Sequence, residues 1–170
     1  MFPAAKPYEP LTKQEAQLLS RARRDFLPED ARYFFAKQIE GRSNAELVAW
    51  AGILREKRSS NGTPRFVVEH RYWDWINDYG TQSTRIFLSA RGEGLFHFAL
   101  AGDEGQWLMK QAEEGQMLIV YGVPIGVDPD GAIDLRYVHA RGIPQSMYAT
   151  DVWDYGRGST ALKILRLDAF

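Results

Sequence analysis

Aromatic and charged side chains are concentrated between residues 70 and 79. The segment reads HRYWDWINDY, with two tryptophans, two tyrosines and one arginine within ten positions. Aromatic rings stack on bases and sugars while guanidinium groups bind phosphate, so these residue types favour single-stranded nucleic acid. Nearby carboxylates, among them Asp74 and Glu93, oppose this interpretation because they repel a phosphate backbone. The candidate binding residues of this segment and of the strand after it are Arg71, Tyr72, Trp73, Trp75, Tyr79, Arg85 and Arg91.

The same aromatic cluster also has a purely structural interpretation. Successive side chains of a strand point to opposite faces, so alternate rings fill a core while the others anchor neighbouring helices. We expect packing to use most of these rings. Contact with a protein partner, and contact with nucleic acid or glycan, are the alternatives.

Three histidines, His70, His97 and His139, each fall in a predicted strand. Three imidazoles that converge would hold a zinc ion with an open position, as a hydrolytic enzyme requires. Sequence spacing does not show whether they converge. His97 lies between Phe96 and Phe98, and strand alternation therefore directs it to the less buried face. We predict neither a metal site nor a cofactor.

The sequence motifs of common enzyme classes are missing. The chain contains no cysteine, which excludes thiolate zinc ligands and cysteine nucleophiles. It has no GxSxG elbow, no phosphate-binding loop and no HExxH helix. The glycines of residues 122–126 do not form a dinucleotide loop, because a strand hairpin follows them where a helix would be needed. We predict that the protein is not an enzyme.

The charge of the chain is nearly balanced. Its 170 residues include 21 Lys and Arg against 22 Asp and Glu, for a formal net charge of −1. This balance argues against a polybasic nucleic-acid binder but is compatible with a local basic face. No apolar run approaches the roughly 20 residues that span a bilayer. The length suits one compact domain with a terminal arm.

Two short amphipathic helices are predicted near the N-terminus. Thr12 and Glu15 have the spacing of a capping box, and apolar residues then recur at helical intervals. Pro28 suits the first turn of a second helix, which we expect to end at Gly41. The three prolines of residues 1–10 indicate an extended tether before these helices.

From residue 47 onward the pattern is typical of strands. The third of five predicted strands begins near Thr84, bends at Gly92 and Gly94, and resumes at residues 95–100. One helix is predicted after it, between residues 103 and 115. The other four strands are predicted at residues 47–54, 65–73, 117–125 and 133–139.

Two turns are readable in this region. Asn61-Gly62 predicts a hairpin, with a loop longer than the tightest turns because charged residues precede it. Residues 128–131, Asp-Pro-Asp-Gly, match a type I turn.

The predicted order of elements is strand, strand, strand, helix, strand, strand. This is the order of the OB-fold, a five-stranded Greek-key barrel with a helix between its third and fourth strands. We therefore predict a mainly β protein whose barrel is preceded by two short N-terminal helices. The predicted regions are a tether and helical arm at 1–44, the barrel at 45–145, and a strap packing on the barrel or a partner at 146–170.

Two segments of the barrel resemble Slp-like outer-membrane lipoproteins. Residues 48–53, VAWAGI, resemble the Trp-Gly-Gly-Ile-type first strand of that family, and residues 115–126, GQMLIVYGVPIG, resemble its glycine-bounded hydrophobic segment. The similarity covers residues 45–145. It implies an envelope protein with a binding or structural role and no catalytic residues. The chain departs from that family in having no lipid-accepting cysteine.

These observations predict a non-enzymatic OB-fold binding or structural module, which acts as a protein-interaction component of the bacterial cell envelope. The alternative is a single-stranded nucleic-acid-binding protein that uses the aromatic and arginine cluster of the second and third strands. A protein partner or self-association is expected, the latter through residues 161–167 as an edge strand. The predicted location is periplasmic or outer-membrane-associated if a targeting segment was removed, and cytoplasmic otherwise.

Overall fold

The computed structural model describes residues 13–37, 46–78 and 83–142, with the backbone alone at 75–78 and 83–87. The predicted tether, the Thr12 cap, the end of the second helix at Gly41 and the C-terminal strap lie outside these residues. The helices and strands are α1 (Lys13–Arg21), α2 (Pro28–Lys37), β1 (Val48–Ser60), β2 (Thr63–Arg71), β3 (Trp73–Asp78), β4 (Ser83–Leu88), β5 (Leu95–Ala99), α3 (Gly102–Gln111), β6 (Met117–Val127) and β7 (Ile133–Gly142).

Five strands close into a barrel in the order β1–β2–β5–β7–β6. Neighbouring strands are antiparallel except for β5 and β7, which run parallel. Parallel strands require a long connection, and α3 together with β6 supplies it. The helix therefore lies between the third and fourth strands of the barrel, as in an OB-fold. The predicted fold class is confirmed.

The segment predicted as a single bent third strand forms two separate strands. β4 pairs with β3 in a two-stranded hairpin of its own, and β5 alone enters the barrel. A Cβ atom at Gly92 would collide with the carbonyl oxygen of His70, and Gly94 has a φ of 90°. These glycines let the chain pass close to β2 and turn into β5. The prediction of one continuous strand is therefore wrong.

The β1–β2 turn is tighter than the sequence predicted. Ser60 pairs directly with Thr63, so only Asn61 and Gly62 connect the strands. Their φ angles are 53° and 81°, and positive φ at both central residues is the requirement of a type I′ hairpin. The longer predicted loop is wrong because the charged residues before Asn61 continue β1 to its end.

The two ends of the barrel are covered by different helices. Gly105 of α3 lies against the carbonyl of Leu100, after the end of β5, and Arg32 of α2 lies against Gly94, before its start. Lys57 donates to two carbonyl oxygens at the C-terminal end of α3, at 2.8 and 2.7 Å, and so satisfies backbone groups that the helix leaves unpaired. The inner core comprises Phe26, Ala31, Val48, Trp50, Leu54, Phe66, Val68, Phe96, Phe98, Leu108, Ala112, Leu118, Val120, Ile133 and Leu135.

A second apolar cluster lies on the outside of the barrel. Ala51 of β1 and Ile119 of β6 are paired residues on this face. Leu18 of α1 packs on them from one side, and Trp73 and Leu88 of the β3–β4 hairpin complete the cluster. Both α1 and the hairpin are thus held to the barrel by apolar burial. No helix among the described residues is long and apolar enough to cross a membrane.

A buried ion pair joins α1 to β6 and β7. Glu15, which the sequence placed in a capping box, accepts hydrogen bonds from the Tyr121 hydroxyl at 3.0 Å and from the Arg141 guanidinium at 3.1 Å. Both charged side chains are almost fully buried. Burial and the Glu15 carboxylate raise the pKa of Tyr121, and burial lowers that of Arg141. Both charges depend on each other because neither is solvated by bulk water.

His70 is the one histidine that points into the barrel. Its ring lies beside Trp50, with 6.2 Å between the ring centroids, and its Nδ1 accepts a hydrogen bond from the Glu93 backbone at 3.0 Å. Burial lowers the pKa of His70 to about 3, with smaller contributions from the charges of Arg32 and Arg71. The imidazole is therefore neutral at physiological pH.

We expect the substitution Glu15→Gln to reduce the free energy of unfolding by about 3 kcal/mol, because it removes the buried carboxylate that Arg141 Nη1 contacts at 3.1 Å. Urea denaturation of both proteins measures this loss. Glu46→Gln is the matched control, since its ion pair with Arg23 is solvent-exposed. That variant should unfold close to the wild type. Equal losses in the two variants would contradict the role assigned to Glu15.

Acidification should destabilise the protein through His70. Between its folded pKa of about 3 and the ordinary value of 6.5, the unfolded chain binds more protons, so stability falls as pH falls. The slope from His70 approaches about 1.4 kcal/mol per pH unit. Urea denaturation between pH 6.5 and 5 should show a flatter profile for His70→Asn, and the wild-type slope for the control His139→Gln. An unchanged slope in His70→Asn would refute this account.

Candidate nucleic-acid interface

The structure places Trp73 in the outer apolar cluster. Its ring is buried, its Nε1 donates to the Ala49 carbonyl at 3.1 Å, and the Arg24 guanidinium carbon lies 4.1 Å from the ring centroid. Tyr72 and Trp73 line a recess of about 80 Å³ together with Arg24 and Asp74. Trp73 therefore fastens the β3–β4 hairpin to the barrel and does not present a free ring face for base stacking.

Arg71 and Tyr72 both contact carboxylates of the protein itself. Arg71 Nη2 lies 2.7 Å from the Glu69 carboxylate, which also pairs with Arg55. The Tyr72 hydroxyl donates to Glu93. The cationic and aromatic groups at this end of β2 are thus engaged within the protein.

The remaining sequence-predicted residues are distributed over the hairpin and the connection after it. Trp75 of β3 pairs with Ile86 of β4. Arg85, which precedes Ile86, pairs with Ile76. The backbone carbonyl of Arg91 accepts a hydrogen bond from the Tyr72 N–H at 3.3 Å. Tyr79 lies outside the described residues.

A larger groove of about 370 Å³ opens elsewhere on the barrel, and we call it the β5 groove. All five barrel strands, and also the turn between β6 and β7, contribute residues to it. In OB-folds, the second and third strands and the 1–2 and 4–5 loops form the usual ligand surface, which here corresponds to β2, β5 and the two turns. The lining residues are Arg58, Arg65, His97, Gly126, Val127, Asp128 and Asp134.

Among the sequence-predicted binding residues whose side chains the structure describes, Arg71, Tyr72, Trp73 and Arg91, none lines the β5 groove. Arg65 and Arg71 both belong to β2, but they are six positions apart, or about 20 Å along an extended strand. The alternating burial of β2 places Arg65 on the outer face, and the Asp-Pro-Asp-Gly turn predicts a loop beside it. These two signals, combined with the usual OB ligand surface, indicate this side of the barrel but not which side chains converge there.

Arg58 and Arg65 face each other across the β1–β2 ladder. Like charges directly opposite each other in a sheet are destabilising, so this arrangement carries a cost that a bound anion would relieve. Arg58 also lies 3.3 Å from the exposed Glu56 carboxylate. Arg58 and Arg65 together form the positively charged side of the β5 groove, which we call the cationic wall.

His97 connects the cationic wall to the acidic side of the groove. Its Nδ1 lies 2.6 Å from Arg65 Nη1, and its Nε2 lies 3.0 Å from Asp128 Oδ2. A guanidinium group only donates, so Nδ1 accepts and Nε2 carries the hydrogen donated to Asp128. Asp134 Oδ1 is 3.4 Å from Nδ1. In a neutral ring, these partners select the tautomer with its hydrogen on Nε2.

Asp128 organises the β6–β7 turn. Its Oδ1 accepts hydrogen bonds from the backbone N–H groups of Asp130 and Ala132, both at 3.0 Å, and its carbonyl accepts one from Gly131. The predicted turn at residues 128–131 is thus confirmed. Burial alone would raise the pKa of Asp128, but the hydrogen bonds from Ala132, His97 and Asp130 outweigh it and lower that pKa. Asp128 is therefore an ionised carboxylate whose side chain accepts hydrogen bonds from His97, Asp130 and Ala132.

The three histidines occupy different parts of the barrel. His70 lies inside it, His97 lies on the outer face of β5, and His139 pairs with Tyr121 between β6 and β7. Within residues 13–37, 46–78 and 83–142, no group of three His, Cys, Asp or Glu residues has the arrangement of a metal site.

No family model and no curated protein matches the chain. Three of the solved structures that are similar to it are single-stranded DNA-binding proteins. The mitochondrial single-stranded DNA-binding protein Rim1 of S. cerevisiae is 9% identical, with 59% of this chain and 97% of that chain covered and a TM-score of 0.39. The small single-stranded DNA-binding protein of Streptomyces coelicolor is 12% identical, with 59% and 96% covered and a TM-score of 0.39. The wild-type single-stranded DNA-binding protein of Thermus aquaticus is 14% identical, with 58% and 50% covered and a TM-score of 0.34.

At these identities and TM-scores, the OB-fold assignment rests on the strand order of this chain alone. The resemblance to Slp-like lipoproteins is not supported by any of the comparisons.

Proposed function

We propose that this protein is a non-enzymatic OB-fold module that binds single-stranded nucleic acid in the β5 groove. The observation that carries the proposal is the pair Arg58 and Arg65, directly opposite each other at the usual ligand surface of the fold. Two adjacent guanidinium groups are well suited to bind the phosphates of an extended strand.

The acidic side of the groove is compatible with this ligand. Both carboxylates, Asp128 and Asp134, lie close to His97, and Asp128 also accepts two backbone hydrogen bonds. The hydrogen bonds to Asp128 weaken its repulsion of phosphate, whereas Asp134 gains a positively charged partner only if His97 is protonated. A strand would place its phosphates against the arginines and its bases toward the turn.

A formal net charge of −1 means that long-range attraction contributes little. Affinity then depends on few phosphate contacts. If Arg58 and Arg65 each contact one phosphate, the logarithm of the binding constant should fall with the logarithm of salt with a slope of about −1.4.

A protein-binding role is the second candidate. Tyr33, Trp107 and Ile125 are large apolar side chains that are 65%, 61% and 53% exposed, and exposed side chains of this kind occur in protein interfaces. However, Tyr33 belongs to α2 and Trp107 to α3, which cover opposite ends of the barrel. Among the described residues, Tyr33 and Trp107 therefore do not belong to one apolar patch, which favours the nucleic-acid proposal. No observation supports a cell-envelope setting, and the location of the protein stays a prediction.

Substitution of either arginine should weaken oligonucleotide binding. We expect Arg58→Gln and Arg65→Gln each to lower the affinity roughly tenfold, the value of one charge-assisted hydrogen bond, and to make the salt slope shallower. Fluorescence anisotropy of a labelled single-stranded oligonucleotide at several salt concentrations measures both. The matched control is Arg21→Gln, an exposed arginine on α1. Absence of binding by the wild type at low salt would refute the proposal, and an equal loss in the control would refute its placement.

A second variant separates the β5 groove from the aromatic cluster. Since Trp73 is buried beneath Arg24, we expect Trp73→Phe to lower the free energy of unfolding by about 1–2 kcal/mol while oligonucleotide affinity changes less than about twofold. Urea denaturation and the same anisotropy titration measure the two quantities. A large loss of affinity in a folded Trp73→Phe protein would relocate the site to the aromatic cluster.

A further inference from the structure

We infer that a strand bound in the β5 groove is accompanied by uptake of one proton at His97. The inference rests on the proposed function and adds a regulation to it: binding tightens as the pH falls. It is carried by the geometry of His97 between one arginine and two carboxylates.

In the neutral ring, each nitrogen has one role. Nδ1 accepts from Arg65 at 2.6 Å, and Nε2–H donates to Asp128 at 3.0 Å. One N–H of Arg65 is therefore directed at the histidine and away from a ligand. Neutral His97 therefore occupies a hydrogen-bond donor of Arg65 that could otherwise contact a ligand.

Protonation reverses the role of Nδ1. A proton from solvent is added at this nitrogen, which then donates and no longer accepts from Arg65. Asp134 Oδ1, 3.4 Å away, is the acceptor already in place, and Asp128 keeps its contact with Nε2. The Arg65 guanidinium is released toward the groove.

Protonation of His97 has three consequences, and each of them favours the binding of an anionic ligand. The groove gains one positive charge, the two carboxylates become paired with an imidazolium, and Arg65 regains a donor for phosphate. The charged groups that line the groove around His97 are Arg65 from β2, Asp128 from the turn, Asp134 from β7 and, beyond them, Arg58 from β1. The His97 side chain is only 11% exposed, so water screens these interactions less than at an open surface.

The coupling is reciprocal. A phosphate that draws Arg65 away from Nδ1 removes the cation that opposes protonation of His97, and protonation in turn frees Arg65 for phosphate. Where one proton is linked to binding, the affinity changes by up to about tenfold per pH unit.

Calorimetric titration with oligothymidylate tests the inference, because thymine does not titrate near neutral pH. Titrations in two buffers of different ionisation enthalpy at the same pH give the number of protons taken up. We expect uptake of about one proton and tightening from pH 8 to pH 6 in the wild type and in the control His139→Gln. His97→Gln should take up none and bind with an affinity independent of pH.

The outcomes separate the inference from the proposed function. Undiminished proton uptake in His97→Gln, or wild-type binding without proton uptake, would overturn the inference and leave the function standing. Absence of oligothymidylate binding at low salt would overturn the function itself. Imidazole nitrogen resonances of the wild type provide a measure that needs no variant. At constant pH near 6.5, saturating oligonucleotide should move the His97 signals to those of the doubly protonated ring, and unchanged signals would overturn the inference.

Discussion

The pairing of β5 with both of its neighbours is the constraint on which the rest of the structure depends. Antiparallel pairing with β2 places His97 opposite Val67, and parallel pairing with β7 places it opposite Asp134. The same two ladders close the barrel and direct Phe96 and Phe98 into its core. A slip of one residue would exchange the two faces of β5, turning His97 inward and both phenylalanines outward. Burial of the phenylalanines thus specifies the register that assembles the groove.

Two histidines of the same barrel differ because of what surrounds them. His70 lies among aromatic rings inside the barrel, where burial disfavours the charged ring. His97 lies on the outer face, where two carboxylates offer acceptors to a charged ring and one arginine offers a donor to a neutral one. His70 packs in the core and accepts one hydrogen bond, from the Glu93 backbone. His97 has two arrangements of hydrogen bonds available, and under the proposed function a ligand that competes for Arg65 would select between them.

The β3–β4 hairpin shows how an aromatic segment is used for attachment. Trp73 and Leu88 sit where the hairpin meets the outside of the barrel, beside the α1 side chain Leu18. The hydrogen bond from the Trp73 indole to Ala49 fixes the ring against β1. On the same outer face, the Glu15–Arg141 ion pair joins α1 to β7. Additions to the five-stranded barrel thus cover one outer face, and the β5 groove remains open on the face of β2 and β5.

The sequence by itself determined the local features of this protein. Alternation in β2 and β5, the Asn61-Gly62 hairpin, the Asp128 turn and the helix before β6 are short-range patterns, and their order is that of an OB-fold. Only the tertiary structure decided that the third predicted strand divides at Gly92 and Gly94, because the division depends on contact with β2.

The candidate site was likewise beyond the reach of the sequence. His97 lies 31 residues before Asp128 and 32 residues after Arg65 along the chain. Which side chains converge on it is set by strand register across the barrel, and register arises from burial on the opposite face of each strand. The aromatic run at residues 70–79 is conspicuous in the sequence, yet the described part of it is engaged in packing and internal hydrogen bonds. Residue types indicate what chemistry is available, and the closed barrel decides which of it faces a ligand.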